Sequence, residues 1–187
     1  MANQSISNFI NAFGGGSRMN RFSVSGSVGV AAGGGNTRLL TDFHIRAASL
    51  PASTISPISI NYRGRTVQYP GDRTYLPWQI LILDDPQEGN KSLFSAFHTW
   101  HNDINNHDTN LTTTSGNTNP KNHFAKSVWT IKQFDTNGNK VTREFQLQNC
   151  WPISVSEMEL DMSKDNVISS FAVTMVYSHY KVMTTTL

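Results

Sequence analysis

The stretch Tyr69-Pro70-Gly71-Asp72-Arg73-Thr74-Tyr75-Leu76-Pro77-Trp78-Gln79-Ile80-Leu81-Ile82-Leu83 decides how the rest of the chain is arranged. Pro70 restricts φ and Gly71 tolerates positive φ, so the first part of the stretch predicts a tight turn. The apolar run from Trp78 to Leu83 predicts a strand that is covered on both faces. We therefore expect a turn that leads into the central strand of the core.

Length, charge and cysteine content limit the classes of protein that this sequence encodes. At 187 residues the chain is long enough for one domain, residues 1–187, with its own core. The 15 basic and 13 acidic side chains give a net charge of +2, which is too small for a tight nucleic-acid binder. The single cysteine, Cys150, cannot form an intramolecular disulfide. No secretion signal and no apolar run of ~20 residues is present, which predicts a soluble protein with no stable membrane association.

Residues 5–13 have the pattern of a short amphipathic helix. Ser5 is a suitable N-cap, and the glycines at 14–16 end the helix. Such a short helix is marginal in water, so its apolar face needs a surface to pack on, either in the same subunit or in a neighbouring copy. The apolar positions recur at spacings of three and four and share one face; they are Ile6, Phe9, Ile10 and Phe13.

Alternation of apolar and polar residues then predicts half-buried strands. Residues 22–30 and 39–47 alternate on either side of a glycine-rich stretch, which predicts a long hairpin. Leu50-Pro51 ends this hairpin and begins a neutral loop at 49–57. Alternation resumes at 58–69, where Asn61, Arg63 and Gln68 are expected to share the polar face.

The best helix pattern in the chain lies at residues 91–105, with Asn90 as candidate N-cap and Asn105-Asn106 as the stop. We expect this helix to pack on the sheet through a stripe that contains Trp100. Residues 107–122 contain almost nothing apolar, which predicts a long exposed loop.

The last part of the chain predicts further strands. Residues 128–134 and 141–147 flank an Asn-Gly pair, which is a strong hairpin signal. A turn at Trp151-Pro152 leads into another alternating segment, and a closing strand covers 171–177. The sum is about eight or nine strands, which predicts a mainly β fold: an antiparallel β-sandwich or barrel with one flanking α-helix and a short N-terminal helix.

No group of residues in the sequence supports catalysis or metal binding. His98 and His101 lie three apart on the helix, but no second ligand cluster accompanies them. Cys150 stands beside a Trp-Pro pair, where we expect a buried and unreactive thiol. Asp84 and Asp85 are adjacent and are expected to be solvated. We therefore predict no catalytic residue, no metal and no cofactor.

The order of landmarks along the chain resembles the tail tube proteins of contractile-tailed bacteriophages. The similar features are a Leu-Pro corner, a Gly-Asp-Arg-Thr motif before a Trp-led strand, a Trp in the helix and a late Trp-Pro pair. The resemblance runs from the N-terminal helix to Tyr180. In this sequence the landmarks are Leu50, Pro51, Gly71, Asp72, Arg73, Thr74, Trp78, Trp100, Trp151 and Pro152.

This resemblance implies a structural virion protein and not an enzyme. It implies homo-hexameric rings that stack into the inner tube of a contractile tail, through which viral DNA passes into the host. The implied partners are a tail sheath around the tube, and baseplate and terminator proteins at its ends. The implied location is the virion, after assembly in the host cytoplasm.

Two segments are neutral or apolar yet lie outside the alternating core pattern, and we expect them to make the contacts between stacked rings. The first is the stripe of the N-terminal helix, and the second is the loop at 49–57. The expected contact residues are Ile6, Phe9, Ile10, Phe13, Leu50, Pro51 and Ile55.

The sequence also fits other functions. Within the same class, the chain resembles baseplate proteins that initiate the tube and the tube protein of type VI secretion. From a different class, a monomeric β-sandwich could bind glycans through exposed Tyr62, Tyr69 and Tyr75. Such a module needs a concave aromatic platform and no self-association.

Overall fold

A computed structural model describes residues 6–13, 16–28, 38–40, 43–85, 92–111, 127–138 and 140–183. Strands dominate this part of the chain, and the predicted mainly β fold is confirmed. The helices are α1 (Ile6–Ala12) and α2 (Leu93–Ile104). The strands are β1 (Phe22–Val28), β2 (Arg38–Leu40), β3 (Ile45–Ala48), β4 (Ser53–Tyr62), β5 (Arg65–Tyr75), β6 (Trp78–Leu83), β7 (Trp129–Phe134), β8 (Val141–Gln148), β9 (Trp151–Val155), β10 (Ser170–Val176) and β11 (His179–Met183).

The strands form two larger antiparallel sheets and one separate hairpin. The five-stranded sheet has the order β11-β8-β7-β1-β2, and the four-stranded sheet has the order β3-β6-β10-β9. Strands β4 and β5 pair only with each other in the described residues. The sequence predicted either a sandwich or a barrel. No closed barrel forms in this part of the chain, so the architecture is a sandwich.

One hydrophobic core joins the two larger sheets. Trp78 on β6 meets Trp129 on β7 with their ring centroids 5.7 Å apart, and both side chains are buried. Helix α2 adds Phe97, whose ring centroid lies 5.9 Å from that of Phe171 on β10. The helix therefore packs on the sandwich as predicted, and its buried residues are Leu93, Phe97 and Trp100.

The C-terminal end of α2 agrees with the prediction, since Asn105 is the C-cap, but the N-terminal end differs. The helix starts at Leu93 because Ser92 is the N-cap, with its Oγ accepting a hydrogen bond from the Ser95 N–H at 3.2 Å. The predicted cap, Asn90, lies outside the described residues. Asp84 also serves this end, since its Oδ1 accepts from the Phe94 N–H at 3.1 Å, whereas the sequence predicted a solvated carboxylate.

Strand β6 is central, as predicted, because it lies between β3 and β10. The expectation that both of its faces are covered was wrong. Trp78, Ile80 and Ile82 are buried on one face, whereas Gln79 on the other face is exposed. The sandwich therefore leaves the outer face of this sheet partly open.

The second half of the hairpin predicted between residues 22 and 47 is divided into two strands, β2 and β3, which belong to different sheets. The first half, β1, pairs with β2, but β3 lies in the other sheet and pairs with β6. The chain thus changes sheet between residues 40 and 45, and Phe43, which the alternation placed on the buried face, is 89% exposed.

The end of the chain also differs from the prediction. Trp151-Pro152 belongs to β9 and is not a turn, and the predicted alternation beyond Val155 is an exposed loop. Strand β11, which the sequence did not indicate, pairs with β8. Of the predicted loop 107–122, only residues 107–111 are described, and these are largely exposed.

Candidate assembly surface

The hairpin of β4 and β5, residues 53–75, is called the arm below. Nearly all of its residues are exposed; only Ser53, Gly71 and Tyr75 are half-buried. An isolated two-stranded hairpin is marginally stable in water. The arm therefore needs support, either at its base or from another chain.

The Pro-Gly-Asp motif forms a bulge within the arm and not the predicted turn. Strand β5 runs through it without interruption. Between the pairs Ile55↔Arg73 and Pro57↔Pro70, β5 uses one residue more than β4, which is the definition of a β-bulge. A Cβ atom on Gly71 would lie 2.5 Å from the backbone oxygen of Ser56, so the bulge requires glycine here because of close approach.

The reversal of the chain lies at the far end of the arm. Arg63 and Gly64 have φ values of 48° and 80°, and such positive φ values at both positions are typical of a tight hairpin turn. The guanidinium carbon of Arg63 lies 5.3 Å from the centroid of the Tyr62 ring. Arg63 therefore belongs to the tip of the arm and not to its polar face, where the sequence placed it.

Beyond the bulge, the two faces of the arm differ in chemistry. One face is polar and internally bonded: Ser59 Oγ donates to Gln68 Oε1 at 2.8 Å, and Thr66 Oγ1 donates to Asn61 Oδ1 at 2.8 Å. Asn61 and Gln68 share this face as predicted. The other face is apolar, with side chains that are 44% to 64% exposed; they are Ile58, Ile60, Tyr62, Val67 and Tyr69.

Aromatic residues and hydrogen bonds hold the base of the arm to the sandwich. Arg73 Nη1 donates to Ser53 Oγ at 2.8 Å, and Ser53 Oγ lies 3.1 Å from Tyr180 Oη. Tyr177 Oη donates to the Ala52 carbonyl at 3.2 Å. Burial raises the pKa of Tyr177 to about 12, with a further contribution from Tyr180, so this phenol keeps its proton at neutral pH.

Tyr75 completes this anchor. Its ring centroid lies 5.8 Å from that of Tyr177 and 5.5 Å from that of Tyr180. It is thereby separated from Tyr62 and Tyr69, which lie on the exposed apolar face of the arm. The three tyrosines do not form the common platform that a glycan-binding module requires.

Helix α1 is the second apolar surface that the described chain leaves uncovered. No residue of α1 is buried, and the rings of Phe9 and Phe13 stack on each other with centroids 5.1 Å apart. The exposed fractions of the predicted stripe run from 54% at Phe13 to 78% at Ile6. Packing of this stripe within its own subunit, the alternative considered from the sequence, is not what the described residues show.

Of the other predicted contact residues, Leu50 and Pro51 lie just before the arm, and Ile55 lies on its first strand, β4. Leu50 is 41% exposed and Ile55 is 47% exposed, while Pro51 is half-buried. Trp78 Nε1 donates to the Ser49 carbonyl at 2.6 Å, which fixes the Leu-Pro corner against the core. The geometry thus brings the corner and the arm base together.

The remaining landmark residues have two kinds of surroundings. Trp78, Trp100 and Pro152 are buried and Trp151 is half-buried, so these four stabilise the sandwich. Asp72 and Thr74 are exposed on the arm. The Gly-Asp-Arg-Thr motif therefore shapes the arm, whereas the Trp residues build the core.

The groups that the sequence singled out for other chemistry include His98, His101 and Cys150. Burial, followed by the charges of His101 and His107, lowers the pKa of His98. Burial raises the pKa of the Cys150 thiol to about 12. Among the described residues there is no group of three or more His, Cys, Asp or Glu that could hold a metal ion. No helix in the described ranges is long and apolar enough to cross a membrane.

Comparison with solved structures identifies the fold. A chain of the anti-feeding prophage baseplate, in a six-fold symmetrised structure, is similar with a TM-score of 0.62 and 10% identity, covering 91% of this chain and 97% of that one. A chain of the sheath-tube complex of the PVC extracellular contractile injection system is similar with a TM-score of 0.51 and 19% identity, covering 97% and 99%. At these identities the likeness shows the fold alone.

Comparison of sequences identifies the family. The tail tube protein gp19 of Enterobacteria phage T4 is 24% identical over 141 residues, which is 74% of this chain and 80% of that protein. The tail tube protein of Serratia phage KSP90 is 27% identical over 127 residues, 68% of this chain and 66% of that one. The family model for phage tail tube proteins matches residues 19–183. The chain therefore belongs to the phage tail tube protein family.

Proposed function

We propose that residues 1–187 form one tail-tube domain, and that hexameric rings of this domain stack into the inner tube of a contractile phage tail. Membership of the tail tube family supports the structural role, and the fold shared with a sheath-tube complex supports a tube within a contractile sheath. The proposed role needs no catalytic group and no cofactor. Tail sheath, baseplate and terminator proteins are the expected partners.

The observation that carries the proposal is the pair of exposed apolar surfaces on α1 and the arm. Burial of apolar surface stabilises by about 25 cal/mol per Å², and large uncovered apolar patches in soluble proteins mark interaction sites. Neither surface contributes a residue to the buried core of the sandwich. A neighbouring copy of the chain is the partner that a tube supplies in every ring.

Passage of viral DNA through the tube is consistent with the charge of the chain. Each phosphate that a protein neutralises adds affinity and salt dependence, so a conduit needs few cations on its inner wall. The net charge is +2, and the polar face of the arm carries hydroxyl and amide groups that bond to each other. We expect weak binding of DNA by the assembled tube.

Negative-stain electron microscopy of the untagged protein over a concentration series tests the proposal. We expect hollow rings and tubes with six-fold end views. Replacing Phe9 and Ile10 by Asp places two charges on the apolar face of α1 and should leave folded subunits that no longer polymerise. Tubes of normal length from this variant would show that the α1 stripe is not a contact.

A matched control places the same two charges on the other face of α1. Ser7→Asp with Asn11→Asp changes the net charge equally but leaves the apolar stripe intact. This control should polymerise as the wild type does. Particles that stay monomeric at every concentration, for the wild type as well, would overturn the tube proposal.

A further inference from the structure

The loop between β9 and β10, residues 156–169, is called the acidic loop below. It contains four carboxylates, Glu157, Glu159, Asp161 and Asp165, and one lysine, Lys164, so its net charge is 1 − 4 = −3. It also carries large apolar side chains that are 64% to 103% exposed. These are Leu160, Met162, Val167 and Ile168.

Local contacts shape this loop and favour the ionised forms of Glu159 and Asp161. Asp161 Oδ1 accepts hydrogen bonds from the N–H of Ser163 at 2.9 Å and from its Oγ at 2.7 Å. Glu159 forms an ion pair with Lys164 at 2.8 Å. The Ser163 bonds lower the pKa of Asp161, and Lys164 lowers the pKa of Glu159. The loop therefore presents negative charge beside apolar groups at neutral pH.

The arm carries the opposite combination. The arm contains three arginines and one acidic residue, so the net charge of the arm is +2. These residues are Arg63, Arg65, Arg73 and Asp72. Arg63 lies at the tip, and Arg65 is the cross-strand partner of Tyr62 at the edge of the apolar face. Basic groups thus border an exposed apolar strip, as acidic groups do in the acidic loop. Complementary charge of this kind selects partners and register.

The base of the arm and the acidic loop lie at opposite ends of the four-stranded sheet. The arm leads directly into Trp78, which pairs with Met175 near the end of β10, and Tyr177 bonds the arm base there. The acidic loop enters β10 at its other end, where Ser170 pairs with Leu83. Along β10 these ends are about 20 Å apart. A contact between unlike surfaces at opposite ends joins copies head to tail and repeats along an axis.

We propose that the arm of one copy docks on the acidic loop of a second copy. The apolar face of the arm covers Leu160, Met162, Val167 and Ile168, while Arg63 and Arg65 pair with Glu157 and Asp165. This inference rests on the proposed tube function, for which it names the contact that joins successive subunits. The occupant of the acidic loop is thus another copy of the same chain.

Charge reversal tests this pairing. The arm variant carries Arg63→Glu and Arg65→Glu, and the loop variant carries Glu157→Arg and Asp165→Arg, which leaves the Glu159–Lys164 pair in place. Arg18→Glu with Lys140→Glu is the control, because it makes the same charge change as the arm variant at exposed residues outside both surfaces. Circular dichroism and thermal melting check that each variant folds.

The readout is the protein concentration at which half of the sample sediments as polymer. Each reversed variant alone should need a concentration at least about tenfold higher than the wild type, since like charges placed opposite each other across an interface oppose association. An equal mixture of the two variants should polymerise again, because each arm then meets a loop of opposite charge. The control should match the wild type.

The possible results separate this inference from the tube function. If both reversed variants polymerise as the wild type does, or if the mixture does not restore polymers that each has lost, the pairing is wrong and the tube function stands. If the folded wild type forms no polymer at any concentration, the tube function and the pairing both fail.

Discussion

The sandwich and the arm are built from the same kinds of residue but use them differently. In the sandwich, alternate side chains such as Ile80 and Val173 are buried between two sheets. In the arm, Ile60 and Val67 alternate in the same way, yet each is close to half exposed. An alternating strand thus always has an apolar face, but only tertiary or quaternary contacts decide what covers it. The sandwich accounts for folding, and we assign assembly to the arm.

The largest expected effect comes from the aromatic contact between the sheets. Trp129→Ala removes the ring that packs on Trp78 and should lower the free energy of unfolding by about 3–5 kcal/mol. Urea unfolding of the dilute monomer measures this change. Phe43→Ala, which removes an 89% exposed ring, is the control and should stay within about 0.5 kcal/mol. Equal losses from both would remove the distinction between core and surface.

An intermediate effect on the free energy of unfolding is expected at alkaline pH from the buried thiol of Cys150. Its pKa is about 12 in the folded state, against an ordinary value of 9.0. Between these values the unfolded chain loses the proton and the folded chain keeps it. Stability should therefore fall by up to about 1.4 kcal/mol per pH unit above pH 9. Cys150→Ala should reduce this slope in urea titrations at pH 8 to 10, and an unchanged slope would mean that the thiol is not protected.

The smallest effect on stability is expected in the arm. Ile60→Ala together with Val67→Ala should change the free energy of unfolding of the monomer by no more than about 0.5 kcal/mol per residue, because neither side chain is buried. The same variant should lose tube formation in sedimentation and electron microscopy. A large loss of monomer stability with normal tubes would reverse the roles given to the two regions.

Most of the sandwich could be predicted because its patterns are local. The period of two in β1, β7, β8 and β10, the stripe of α2 and the Asn-Gly hairpin each follow from the residues of one short segment. The change of sheet near Phe43 and the pairing of β11 depend on distant strands, so no local pattern indicated them. Ser92 and Asn90 are both good N-caps, and the choice between them depends on where the helix docks.

The Pro-Gly-Asp motif shows why the arm was harder to predict. Pro70 restricts φ and Gly71 has no side chain, and this combination suits a bulge as well as a turn. The backbone of Ser56 on the opposite strand, which lies close to Gly71, decides between the two. Exposure of the α1 stripe agrees with the expected contact role, but that role remains a prediction. The alternation at 58–69 was predicted, but the full extent of the arm was not, since residues 53–57 were expected to belong to a loop and residues 70–74 to a turn.

The bulge also affects how the protein behaves before it is assembled. Pro57 and Pro70 face each other beside the bulge, and neither has an amide proton to donate. A foreign strand that approached either edge of the hairpin would find no N–H donor at the proline, and the neighbouring bulge would disturb the register of its hydrogen bonds. Prolines and bulges both protect edge strands from aggregation. Newly made subunits should therefore be able to accumulate in the infected cell without forming amorphous or fibrillar deposits while they wait for a growing tail.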